Sequence, residues 1–84
     1  MNPEDVKALV EAGIDQAEVA VEGAGDKFDI RVVSPAFEGL MPVKKQKLVY
    51  SCINDKIADG TIHAVNIQTW TPEEWDKARR MGLS

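Results

Sequence analysis

The chain contains a single histidine, His63, within the stretch ADGTIHAVNI at residues 58–67. A neutral imidazole is a common ligand for iron, zinc and copper. One histidine does not make a metal site, because zinc, for example, takes about four ligands. The sequence near it has no Cys-x-x-Cys, no His-x-x-x-His and no cluster of carboxylates. If His63 binds a metal, we therefore expect a partner molecule to supply the remaining ligands.

A second interpretation makes His63 part of the core. The residue follows Asp59-Gly60, a pair that stops helices, and it stands at the beginning of a run that alternates like a β-strand. In that pattern His63 shares one side of the strand with Val65 and Ile67, which predicts a partly buried side chain with a satisfied hydrogen bond. The pattern by itself leaves the ligand and core interpretations open.

The only cysteine, Cys52, falls on the apolar face of a predicted helix. A buried and unreactive thiol is the favoured interpretation. Cys52 and His63 are separated by a helix end and a turn. That both bind one metal ion is possible, but nothing in the sequence supports it. A single cysteine cannot form an internal disulfide, and this suits the reducing cytosol.

Three lysines, Lys44, Lys45 and Lys47, crowd the start of the same helix, where positive charge opposes the helix dipole. A solvated face is the common explanation for such a run. Together with the helix N-terminal amides and Arg31, however, the lysines form a candidate nucleic-acid-binding patch. The net charge is −4, so binding to a polyanion would depend on a local patch of this kind. The usual signals of single-strand recognition, a Gly-x-x-Gly loop and stacking aromatic residues on the strands, are absent from the sequence.

No catalytic motif is present. The sequence lacks Gly-x-Ser-x-Gly, a phosphate-binding loop and a dinucleotide fingerprint, and its 14 acidic residues are scattered. We therefore predict a binding protein and not an enzyme.

Six elements are predicted to position these residues. A helix capped by Asn2 and stopped by Gly13 precedes a hairpin, whose strands AEVAV and KFDIRVV flank a Gly-Ala-Gly-Asp turn. An ordered loop follows, with room for one short helix within residues 35–42. The remaining elements are a helix over residues 43–58, a strand over residues 61–70 and a final helix capped by Thr71.

This order predicts an α+β fold in one domain spanning residues 1–84. The second and third strands are joined through a helix, so they should be parallel, beside an antiparallel hairpin. We expect a mixed three-stranded sheet with the helices packed on one face. No segment has the ~20 apolar residues of a membrane span and no signal peptide is evident, so a cytoplasmic protein without membrane contact is expected.

Four short motifs resemble one known family. They are Phe37-x-Gly39-Leu40, the basic run that leads to Leu48-Val49-Tyr50, Gly60-x-Ile62-His63-Ala64, and Thr71-Pro72-Glu73-Glu74-Trp75. Together they make the whole chain similar to the BolA-like family, and within it to the short bacterial IbaG branch. The resemblance implies a class II KH-like fold, in agreement with the predicted order of elements.

The resemblance also implies a function. BolA-like proteins pair with monothiol glutaredoxins as heterodimers, without a cofactor or around a shared [2Fe–2S] cluster that glutathione also ligates. They are linked to iron homeostasis, to the stress response and, in bacteria, to DNA-binding regulation of transcription. By position, His63 matches the histidine that ligates the cluster. Arg31, Lys44, Lys45 and Lys47 would serve the alternative function, DNA binding.

One departure from the family pattern concerns the first hairpin loop. Cluster-binding relatives commonly offer a second His or Cys there, and this sequence has Lys27 at the corresponding place. A protonated amine is a poor ligand for iron, and the hard carboxylate of Asp26 is an unusual one. We therefore expect a weakly held cluster. We also expect that folding requires no cofactor and that the chain alone is a monomer or weak homodimer.

Overall fold

A computed structural model describes residues 1–82, so the last two residues of the predicted domain lie outside the described part. The chain forms α1 (Pro3–Gly13), β1 (Glu18–Ala24), β2 (Lys27–Val33), a 3-10 helix (Pro35–Phe37), α2 (Pro42–Ala58), β3 (Ala64–Trp70) and α3 (Pro72–Arg80). The predicted α+β order is confirmed, and the short helix falls inside the window allowed for it. No helix within residues 1–82 is long and apolar enough to cross a membrane.

Two of the helices begin with the predicted caps. The Asn2 side chain accepts a hydrogen bond from the Asp5 amide at 3.0 Å, and the Asp5 carboxylate accepts one from the Asn2 amide at 3.2 Å. Thr71 and Glu74 form the same reciprocal pair at α3, at 3.2 and 2.9 Å. The Thr71 amide stabilises the charged carboxylate and lowers the pKa of Glu74. Each cap satisfies amides that the first helical turn leaves unpaired.

The three strands lie in the order β1-β2-β3. β1 and β2 are antiparallel, and β2 and β3 are parallel, as predicted. The hairpin turn is tighter than the expected Gly-Ala-Gly-Asp, because Ala24 pairs with Lys27 and only Gly25 and Asp26 remain between the strands. Gly25 has a φ of 68°, and a glycine at the first position of a two-residue turn suits the twist of a hairpin.

One face of the sheet packs against α1 and α2. Alternation along β2 directs Phe28, Ile30 and Val32 to this face, and all three are buried. The core also includes side chains from both helices, both flanking strands and the 3-10 helix, namely Val6, Val10, Val19, Phe37, Val49, Ile53 and Ile67. The opposite side, which we call the open face, is defined by Glu18, Ala20, Glu22, Asp29, Arg31, Asn66 and Gln68.

The third strand begins later than predicted. It starts at Ala64 instead of Thr61, because residues 61–63 connect α2 to the sheet without joining the ladder. In this connection Ile62 is 1% exposed and its amide donates to the Lys56 carbonyl at 3.0 Å. The strict alternation assumed for residues 61–70 therefore holds only within the strand itself.

Gly13 ends α1, as predicted. It is the last residue of α1 and not a left-handed stop; Ile14 caps the helix, and the nearby residue with positive φ is Gln16, at 51°. The structure provides another reason for glycine, since a Cβ on Gly13 would lie 2.5 Å from Cys52 Sγ. The missing side chain allows α1 and α2 to approach closely at this point.

We predict that Gly13→Ala destabilises the protein by about 1–3 kcal/mol in the parent chain, as expected for an overpacked contact. Cys52→Ala alone should cost about 1–2 kcal/mol, because a small, partly buried group packed against the core is removed. In the Cys52→Ala background the Gly13 change should become neutral or stabilising by up to about 1 kcal/mol, because alanine is the better helix former. Urea unfolding of the four proteins measures this coupling. Equal costs of Gly13→Ala in both backgrounds would contradict the close approach of the two residues.

The Cys52 thiol should react slowly. Its Sγ lies 3.4 Å from the Leu48 carbonyl, and burial raises the pKa of Cys52, so little thiolate is present at neutral pH. We expect a thiol reagent to label the native protein far more slowly than the urea-unfolded protein, and faster as the pH rises. Native labelling as fast as that of the unfolded chain would show that Cys52 is accessible.

Candidate functional site

The backbone holds His63 beside the hairpin turn. The amides of His63 and Ala64 both donate to the carbonyl of Asp26, at 2.8 and 3.1 Å. On the other side, buried Ile62 anchors the connection from α2 to the core. His63 is thus fixed from both directions, at the amino end of β3.

The core interpretation of His63 is wrong. Its side chain is exposed, whereas Ile62 and Ile67 are buried and Val65 packs against the core. His63 does not share the inner side with Val65 and Ile67, because two successive amides bond the same carbonyl and residues 61–63 do not follow the alternation of a ladder. Within residues 1–82 no side chain hydrogen-bonds to the imidazole.

The hairpin loop flanks this histidine. Asp26 accepts its backbone bond, and Lys27 is the register partner of Ala64, the next residue along. The side chains of Asp26 and Lys27 are exposed. The loop beside His63 therefore carries an exposed carboxylate and an exposed amine, and neither an imidazole nor a thiol.

The donors present fit only part of a metal or cluster site. Within residues 1–82 no three His, Cys, Asp or Glu side chains are grouped closely enough to hold a metal ion. Cys52 packs between α1 and α2, away from the hairpin turn, so joint ligation with His63 has no support from the fold. Among the described residues, His63 is the one imidazole or thiol donor beside the hairpin turn.

The predicted basic residues separate into two groups. Lys44 and Lys47 are exposed one turn apart on α2. Lys45 has a side chain only 16% exposed and lies 3.9 Å from the Glu74 carboxylate of α3. Two of the three lysines are therefore available to an anion, and the third ties α2 to α3.

Arg31 lies apart from these lysines. It belongs to the open face of the sheet, whereas α2 packs against the other face. Its guanidinium is 4.3 Å from the centre of the Trp75 ring, which meets Trp70 edge-on at 5.5 Å. Such a cation–π contact stabilises the folded chain. No sequence pattern signals this contact, because Arg31 and Trp75 meet only in the folded chain.

Several known proteins share this sequence pattern. The family model described as BolA-like protein matches residues 5–74. A protein from the rpoN-murA intergenic region of Acinetobacter guillouiae is 46% identical over 82 residues, covering 98% of this chain and 99% of that protein. The acid stress protein IbaG of Escherichia coli K12 is 36% identical over 81 residues, 96% of each chain.

A solved structure supports the same assignment. The structure of a BolA protein homologue from Coxiella burnetii superimposes with a TM-score of 0.79 at 31% identity, covering 90% of this chain and 97% of that one. Sequence and fold agree over nearly the full length, so the chain belongs to the BolA-like family.

Proposed function

We propose that this chain is an interaction module that partners a monothiol glutaredoxin in iron–sulfur cluster handling, with His63 as the ligand it contributes. The observation that carries the proposal is a lone, exposed histidine whose backbone is held by the hairpin turn. Membership of the BolA-like family supports the class of partner.

The role of the fold in this proposal is to present the imidazole. Two backbone bonds to Asp26 and the buried anchor at Ile62 limit the movement of His63, so binding a partner costs little ordering of the backbone. A shared [2Fe–2S] cluster, for which a glutaredoxin cysteine and glutathione would be the other ligands, supplies redox-active iron when bound. The chain itself contributes the imidazole and the surface around it.

The biological setting is proposed from a relative. The Escherichia coli protein is named an acid stress protein, and we propose that this chain likewise acts in the stress response and in iron homeostasis, in the cytoplasm. The proposed complex is a heterodimer that forms with or without the cluster. The single ligand from this chain makes the cluster weakly held, while association through surface contacts does not depend on it.

We predict opposite effects for two variants. With a monothiol glutaredoxin and glutathione under anaerobic, iron-replete conditions, His63→Ala should abolish the visible absorbance of the mixed-ligand cluster and leave the cofactor-free complex largely intact. Lys27→His should lengthen the lifetime of the cluster, because a neutral imidazole replaces a protonated amine beside His63. Visible absorbance measures the cluster and calorimetry measures the complex.

Matched controls separate ligation from surface charge. Lys27→Gln removes the same charge as Lys27→His without adding a ligand, so it should not lengthen the lifetime. Gln68→Ala changes an exposed β3 side chain and should leave the spectrum unchanged. If His63→Ala retains the parent spectrum and decay rate, His63 is not a ligand.

A second candidate function is DNA-binding regulation of transcription. The observation that favours it is the exposed pair Lys44 and Lys47 on the first two turns of α2, where no acidic residue accompanies them. Helix N-terminal amides and lysines both attract phosphate. Lys45 is engaged by Glu74, and Arg31 by Trp75, so the two exposed lysines would carry most of the binding.

We predict that Lys44→Gln with Lys47→Gln weakens DNA retention at low salt while leaving the fold intact. The slope of log affinity against log salt should fall by roughly 0.9 for each phosphate that the variant no longer neutralises. The matched control is Lys7→Gln with Lys77→Gln, which removes two exposed lysines elsewhere. Equally weakened retention in both variants would indicate a general charge effect, and a parent chain that does not bind DNA would exclude this function.

A further inference from the structure

The two outer edges of the sheet differ. At β3, the Gln46 amide of α2 donates to the Ile67 carbonyl at 3.0 Å, so a side chain reaches the backbone of that strand. At β1, no hydrogen bond from outside the hairpin reaches the backbone of Glu18–Ala24 anywhere in residues 1–82. An antiparallel strand paired on one side turns the amides and carbonyls of every second residue outward. β1 therefore presents an unpaired edge.

Several common protections of an edge strand are missing from β1. Its sequence, EVAVEGA, contains no lysine and no proline, and it runs for seven residues in a continuous register with β2. Edges of this kind readily pair with another chain. The charged residues on the strand are Glu18 and Glu22, both exposed on the open face.

These two carboxylates have no cationic partner among the described residues. Asp29 is directly opposite Glu22 in the register and adds a third negative charge. Arg31 is diagonal to both glutamates and Lys27 is diagonal to Glu22. The Arg31 guanidinium lies against the Trp75 ring, and within residues 1–82 Lys27 forms no ion pair with Glu22. The edge of β1 is thus both unpaired and acidic.

The same charges disfavour pairing with a second copy of this chain in the register centred on Ala20. If two β1 strands paired antiparallel about Ala20, Glu18 of one would lie opposite Glu22 of the other, twice by symmetry. Like charges directly opposite each other on paired strands are destabilising, whereas opposite charges are stabilising. A strand that carries lysine or arginine at alternate positions would instead match the open face.

We propose that the outer edge of β1 binds an extended, basic segment of another protein, which adds to the sheet as a fourth strand. Backbone bonds give the segment its affinity, and its alternate cations face Glu18 and Glu22. A shallow depression of about 290 Å³ runs from Ala20 and Glu22 across Asp29 to Asn66 on the open face, and the long basic side chain opposite Glu22 extends into it.

The test uses the ¹⁵N-labelled full chain and a capped seven-residue peptide of alternating lysine and valine. On addition of the lysine peptide, we expect amide chemical-shift changes centred on Val19 and Val21 and slower hydrogen exchange of the β1 amides. The affinity for the peptide should fall as the salt concentration rises. An alternating glutamate–valine peptide should not bind, and N-methylation of alternate peptide amides should abolish binding. Binding of the glutamate peptide with equal affinity would overturn the charge argument, and unaffected binding of the methylated peptide would overturn strand addition.

The matched variants are Glu18→Gln with Glu22→Gln, and Glu11→Gln with Glu38→Gln, which remove the same charge. The first should weaken binding of the lysine peptide by about fivefold or more, and the second by less than about twofold. The proposal is overturned if the peptide does not bind the parent, if the shifts lie away from β1, if both variants behave alike, or if the parent dimerises through β1.

Discussion

The carbonyl of Asp26 connects the two halves of this fold. It accepts the amides of both His63 and Ala64, and so joins the hairpin turn to the start of β3. This pair of hydrogen bonds is where the parallel pairing of β2 with β3 begins, and the register then brings Ile30 beside Ile67 in the core. Because the chain enters the sheet at this carbonyl, His63 remains outside the ladder with its side chain in solvent. The hydrogen bonds that start the sheet therefore also create the candidate ligand site.

Two closely packed helices cover the inner face of the sheet. α1 and α2 share the inner face, and the position of Gly13 against Cys52 lets them approach closely. In a domain of this size the core is small, so each buried group contributes a substantial share of the stability. The cysteine is best understood as part of this packing. Its raised pKa is a consequence of burial and not a sign of reactivity.

The last helix explains why the basic residues do not form one patch. Adjacent residues of α3 reach to opposite sides of the domain, Glu74 to Lys45 and Trp75 to Arg31. Two of the four predicted cations thus contact side chains of α3 and are separated from the other two. Lys44 and Lys47 remain exposed on α2, and within residues 1–82 the carboxylates of β1 form no ion pair on the open face. The molecule consequently presents separate basic and acidic surfaces, together with one exposed imidazole.

Local sequence was sufficient to predict the elements and their order, since caps at Asn2 and Thr71 and the periodicity of the apolar residues act over a few neighbouring positions. It also singled out His63, as the only histidine in a matching family motif. Three features depend on contacts between residues that are far apart in the sequence, and only the tertiary structure decided them. They are the exposure of His63, the position of Gly13 against Cys52, and the stacking of Arg31 on Trp75. Alternation allowed a partly buried histidine as one of two interpretations, because a local pattern contains no information about which carbonyl its amide will bind. The hydrogen bond to Asp26, made between segments far apart in the chain, decides this.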